Sequence, residues 1–123
     1  MTRNPWRRVW LGIAGILGAG GVALAAVSAH LASSPNLDLA ARFLLIHAVA
    51  LIGIAAVTRG SEKWLRVAGG LLALGSVCFS GGLVLIETIG PHAGPVIPVG
   101  GTAMILGWLA LAVSAFADPP QLT

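Results

Sequence analysis

Residues 9–31 read VWLGIAGILGAGGVALAAVSAHL, with no Asp, Glu, Lys or Arg among them. A helix rises ~1.5 Å per residue, so roughly 20 apolar residues cross the ~30 Å hydrocarbon core of a bilayer. The stretch therefore predicts a membrane span, and the rest of the chain repeats the pattern. Residues 43–58, 67–86 and 88–117 are equally free of those four residue types. Over all 123 residues, 57% are hydrophobic and 9% charged, and mean hydropathy is +0.94. A soluble domain carries about 25% charged residues. This chain has too few to coat a water-facing surface.

The breaks between the apolar stretches set the boundaries. Ser33-Ser34-Pro35-Asn36 is a cluster of turn formers after the first span. Asp38 is a candidate N-cap for a second span over residues 39–58. Arg59-Gly60-Ser61-Glu62-Lys63 is a short charged loop before a third span over 64–88. Gly90-Pro91-His92-Ala93-Gly94-Pro95 cannot continue a helix, since proline lacks an amide donor and glycine favours turns. The fourth span is expected over 98–117, opening on Pro98 and stopping before Asp118-Pro119-Pro120. The expected fold is a single all-α transmembrane domain over residues 1–123, an integral membrane four-helix bundle.

Arg3, Arg7 and Arg8 precede the first span, and Arg59, Lys63 and Arg66 lie around the second loop. Only Arg42, one turn inside the second span, falls at the other end. Lysine and arginine favour the cytoplasmic side, which predicts an N-in/C-in chain. Trp6, Trp10 and Trp64 fall at the same level, where amphipathic rings belong. The net charge of +3 is thus read as an orientation signal and not as a nucleic-acid footprint. An Arg-rich flank, an apolar stretch and Val27-Ser28-Ala29 also resemble a secretory signal, but the apolar run exceeds the usual ~7–15 residue core. A retained helix is expected. The single cysteine, Cys78, lies in an apolar stretch and has no intrachain partner for a disulfide.

Lipid tails are as apolar as leucine, so membrane helices associate through close packing of small residues. Three spans carry small-residue stripes at i, i+3/i+4, i+7 spacing, which lie on one helix face. They are Gly12, Ile16, Ala19, Ala23, Ala26 and His30; Gly69, Ala73, Ser76, Ser80, Leu83 and Glu87; and Gly100, Ala103, Gly107, Ala110 and Ser114. The second span offers the weaker set Ala41, Leu45, Ala48, Ile52 and Ala55. If the first and third stripes both face inward, His30 and Glu87 meet at the mouth of the bundle.

All three histidines, His30, His47 and His92, belong to one half of the membrane, with Asp38, Arg42 and Glu87. Ionisable groups at membrane depth tend to face the protein interior and to mark sites. His30, His47 and Glu87 are therefore the candidate binding residues, with His47 and Glu87 suited to a quinone, lipid or proton-relay site. His30 and His47 as axial ligands would suit haem, and His30, His92 and Glu87 have metal-ligand chemistry. No attachment motif or diagnostic spacing supports either, so no cofactor or metal is assigned. The competing reading is that these groups hydrogen-bond loops and helix ends. Trp108 falls near mid-membrane, where its indole donor needs a partner. No catalytic motif is present, and the paired glycines lie inside apolar helices.

Phe79-Ser80-Gly81-Gly82-Leu83, then Ile97-Pro98-Val99-Gly100-Gly101, then Leu106-Gly107-Trp108 resemble the YgdD-like family of small membrane proteins, a domain of unknown function (DUF423). The family pattern reads roughly FSGSLY, TPIGG and GW. His47-Ala48-Val49-Ala50-Leu51 is similar to its HALAL segment, and Ala26-Val27-Ser28-Ala29-His30-Leu31 to its GAFGAHGL segment. The chain departs from the pattern at Ala26 and Ser28, which replace glycines, and at Val84, which replaces the tyrosine. The resemblance implies four helices and a multi-pass place in the bacterial inner (plasma) membrane. It implies no activity. With hardly any loops and no soluble domain, the chain is expected to be a non-enzymatic accessory or assembly subunit. Its partners are then the lipid bilayer and other membrane helices, its own kind included. The alternative is a module that binds a quinone, lipid or haem through His30, His47 and Glu87.

Overall fold

The computed structural model describes residues 4–120. They form four α-helices: α1 (Pro5–His30), α2 (Pro35–Val57), α3 (Lys63–Ile89) and α4 (Val96–Ala117), with a 3-10 turn at Pro91–Ala93 before α4. All four are long and apolar enough to cross a membrane, and no strand occurs among the described residues.

Two of the helices, α1 and α2, start four residues earlier than expected, each on a proline. A proline breaks a helix only beyond the first turn; at the first position its fixed φ suits the helix and its missing amide is not needed. Pro5 and Pro35 both open helices in this way. The α2 cap is therefore Ser34 and not Asp38. The extended Ser34 accepts from the amides of Asn36 and Leu37 at 3.2 and 3.4 Å. Asp38 lies inside the first turn and pairs with Arg42 at 2.9 Å, both largely exposed. Asn4 caps α1, its Oδ1 accepting from Trp6 N at 3.0 Å. α4 begins at Val96, with Pro98 inside the first turn. Gly90 ends α3 at φ +92°, a conformation that favours glycine.

Two antiparallel hairpins, α1–α2 and α3–α4, are joined by packing of α2 on α3, and α1 touches α3 more lightly. The core gathers Trp10 and Leu17 from α1, Leu51 and Ile54 from α2, Leu65 and Leu72 from α3, and Ala110 from α4. Ser76 and Ser80 are also fully buried. Their hydroxyls donate to carbonyls, Ser76 to Ala73 within α3 and Ser80 to Ala40 on α2 at 2.9 Å. The latter bond ties the two hairpins together.

The α3 stripe from Gly69 to Leu83 is buried as expected, and so are Gly100, Gly107 and Ala110 of α4. The closest approach is at Gly100, against the α3 backbone at Gly75 and Phe79. A Cβ on Gly100 would run into Phe79 N and lie 2.7 Å from Gly75 O, so the backbones are in contact there. The α1 stripe is a correction. Gly12, Ile16, Ala19, Ala23, Ala26 and His30 are all exposed. The buried face of α1 carries Trp10, Ala14, Leu17, Gly21 and Ser28. Here the small residues lie on α3 instead: the Trp10 indole covers Gly69, where a Cβ would lie 2.7 Å from the ring. A large side chain against a partner's glycine fills the same gap that two small residues would.

Gly100→Ala should therefore destabilise the bundle by about 1–3 kcal/mol, as backbone has to move to admit the methyl. Gly53→Ala, with nothing within 4 Å of the added carbon, should be neutral or stabilise by about 0.5–1 kcal/mol. Denaturant titration in micelles, followed by circular dichroism, separates the two. Equal effects would mean that the α3–α4 contact is not close.

Candidate functional site

Helices α2 and α4 start at the same end of the bundle, and His47 and Trp108 each lie twelve residues after the first residue of their helix. Equal rise puts them level, ~18 Å in at ~1.5 Å per residue. His47 is thus deeper than a helix start at residue 39 suggests. It is 2% exposed. Its Nδ1 lies 2.7 Å from Phe43 O one turn earlier, and Trp108 Nε1 lies 3.2 Å from its Nε2. An indole only donates and a carbonyl only accepts. The geometry therefore requires the neutral ring with its proton on Nδ1. Both nitrogens are in use.

Aromatic rings extend this link across three helices. Phe79 of α3 packs on Phe43 of α2 at 4.5 Å between centroids. Phe43 stacks on His47 at 5.9 Å, and His47 meets Trp108 at 5.8 Å. Beside Trp108 runs an apolar groove of about 490 Å³ between α2 and α4, lined by Leu45, Ile46, Val49, Ala50 and Trp108. Trp108 forms one wall and is 43% exposed. The sequence marked it as a donor in need of a partner but did not name His47, because a second span starting at residue 39 places that histidine too shallow.

Glu87 lies near the end of α3, two residues before Ile89. Its Oε1 accepts from Ser34 Oγ and from Asn36 Nδ2, both at 2.8 Å. Ser34 O in turn accepts from the buried Ser28 Oγ at 3.4 Å. Glu87 thus fastens the α1–α2 turn to the end of α3. His30 is exposed at the end of α1, and His92 is exposed in the 3-10 turn. No hydrogen bond or ion pair among the described residues joins any two of His30, His47 and Glu87. No group of three or more His, Cys, Asp and Glu that could hold a metal ion occurs among the described residues.

The opposite end holds two carboxylates that the sequence reading passed over. Glu62 accepts from the amides of Arg59 and Gly60, both at 2.8 Å. Asp118 reaches from beyond α4 to accept from Trp64 N and Leu65 N, both at 2.9 Å. These amides belong to the first turn of α3, which has no intrahelical acceptor for them. The sequence marked Asp118 only as the residue after a span, because its target lies on another helix.

A family model described as "Protein of unknown function (DUF423)" matches residues 17–101. The chain belongs to that family. A UPF0382 membrane protein of Staphylococcus haemolyticus is 37% identical over 78 residues, 63% of this chain and 64% of the relative. A UPF0382 membrane protein of Staphylococcus aureus is 31% identical over the same shares. The matched stretch thus spans a little under two thirds of these curated relatives. No solved structure matches. Within the DUF423 match lie Ser34, His47, Ser80, Glu87 and Gly100; Trp108 and Asp118 fall outside it.

Trp108→Phe keeps a ring but removes the donor. It should lower stability by about 0.6 kcal/mol, the average measured for hydrogen bonds between membrane helices. A double-mutant cycle with His47→Leu should return a coupling of that size. Additive effects would show that the two rings do not interact.

Proposed function

We propose that this DUF423 protein is a non-enzymatic accessory subunit that packs through α1 against another membrane helix. The observation that carries the reading is the outward face of α1. Gly12 and Gly15 have nothing within 4 Å of where a side chain would begin, and Ala19, Ala23 and Ala26 continue the face. A glycine inside a helix costs about 0.5–1 kcal/mol relative to alanine, and close approach of a second backbone offsets that cost. The polar chemistry favours the same reading. Glu62, Glu87 and Asp118 each accept two hydrogen bonds that close a loop or a helix end. The place is a bacterial inner membrane, with both chain ends cytoplasmic.

Purified in mild detergent from its own membrane, the protein should migrate as part of a larger assembly. Gly12→Leu/Gly15→Leu should release it without loss of helicity. A monomer in both cases would sink the reading. Reporter fusions check the orientation: a fluorescent protein should fold at both ends, and alkaline phosphatase should be active only in the α1–α2 and α3–α4 loops.

A second reading rests on the groove beside Trp108. Its five lining residues are apolar, so an occupant would be the tail of a lipid or quinone. Of the three candidate residues only His47 is tied to this groove, through its hydrogen bond with Trp108. A small molecule retained in native mass spectrometry and lost in Val49→Trp would favour this reading over the first.

A further inference from the structure

The two ends of the bundle use their charges differently. Among the described residues, the end where α1 and α3 begin holds Arg7, Arg8, Arg59, Lys63 and Arg66 with Glu62 and Asp118. The opposite end holds Arg42 with Asp38 and Glu87, and Arg42 is spent on Asp38 at 2.9 Å. At the first end both carboxylates are turned onto backbone amides. Arg7, Arg8 and Lys63 stay exposed and form no ion pair within the described chain.

Arg66 and Lys63 are held beside tryptophan rings at this end. The Arg66 guanidinium lies 5.4 Å from the Trp6 ring and donates to Gly60 O at 2.8 Å. Trp6 stacks on Trp10 at 5.7 Å, and Trp10 is seated on Gly69 of α3. The Lys63 ammonium lies 6.0 Å from the Trp64 ring. The starts of α1 and α3 are therefore locked side by side. Tryptophan rings settle at the level of lipid headgroups, so the cations next to them are level with phosphates and do not project into the aqueous phase. A soluble acidic partner would suit charges on a loop that leaves the membrane; here the loop is five residues long, between Val57 and Lys63.

We infer that this end is a docking surface for the headgroups of anionic phospholipids, formed by Arg7 and Arg8 of α1 with Lys63 and Arg66 of α3. The ligand is a phosphodiester monoanion in the surrounding leaflet. Arg66, fixed by Gly60 O and Trp6, sets the surface, and the three exposed cations complete it. The surface is independent of the α1 face and of the α2–α4 groove.

The test is lipid selectivity of the full chain, reconstituted in phosphatidylcholine vesicles with trace spin-labelled lipid. Spin-labelled phosphatidylglycerol should associate several-fold more strongly than spin-labelled phosphatidylcholine. At about 1 M salt, where the screening length falls to ~3 Å, the preference should collapse. Each removed cation should lower it by up to about five-fold, so Arg7→Gln/Arg8→Gln/Lys63→Gln should bring the two lipids to parity. Arg7→Lys/Arg8→Lys should keep the preference, as should Arg42→Gln at the opposite end. If the triple variant loses helicity, the salt response and the lysine variant decide the matter alone. Equal association in the wild type would overturn the inference. So would a preference insensitive to salt, or one that survives in a folded triple variant. Loss of the preference to millimolar glycerol phosphate would point to a soluble phosphate compound and would overturn it too.

Discussion

A backbone amide or carbonyl without a partner in hydrocarbon costs several kcal/mol, and this constraint dictates where the chain places its polar side chains. Inside a helix the backbone satisfies itself. At each end four amides or four carbonyls are left over, and the chain has only four acidic residues to spend. Three of them, Glu62, Glu87 and Asp118, go to turns and helix ends. Asp118 closes the start of α3 from the end of the neighbouring α4, so the same bonds that cap one helix also tie down the end of another. The carboxylates that would draw the eye as functional are the ones the fold needs for its boundaries.

Between the ends, α3 is the element on which the rest is arranged. It packs against α2, α4 and, near its start, α1. That demand explains its composition. Gly69 receives the Trp10 ring, Gly75 meets the α4 backbone, and Ser80 bonds Ala40 of α2. Where a neighbour comes this close α3 carries a glycine or a serine, and where α4 supplies the glycine, at Gly107, α3 presents Leu72. α4, which lies along α3, shows glycines on one face and Ile, Leu, Val and Phe elsewhere.

How much of this was legible depends on the range of the physics involved. Four spans follow from local composition, and the buried stripes of α3 and α4 follow from periodicity. The face of α1 did not. Periodicity says which residues share a face but not which face is turned inward, and the assumption that small means buried fails when the partner supplies the glycine, as Gly69 does for Trp10. The α2 cap was misplaced because Pro35 was read as a breaker when it stands at the one helical position that welcomes it. The grouping of His30, His47 and Glu87 rested on a shared half of the membrane. That is too coarse a measure, since His47 is near mid-helix and the other two are within two residues of helix ends. Glu87 did turn out to hold a loop and a helix end together, which is the structural role weighed against the functional one.

The His47–Trp108 pair carries one more consequence. A neutral imidazole that donates its Nδ1–H to Phe43 O presents a lone pair on its other nitrogen, at a residue only 2% exposed. That lone pair fixes what stands opposite: a group that donates and is itself neutral, at the depth of residue 47. Indole satisfies both conditions and adds a ring that packs on the histidine. The histidine lies inside the stretch that matches the DUF423 model and the tryptophan just beyond it. The groove and the hydrogen bond are therefore not separate features: Trp108 walls the one and donates the other.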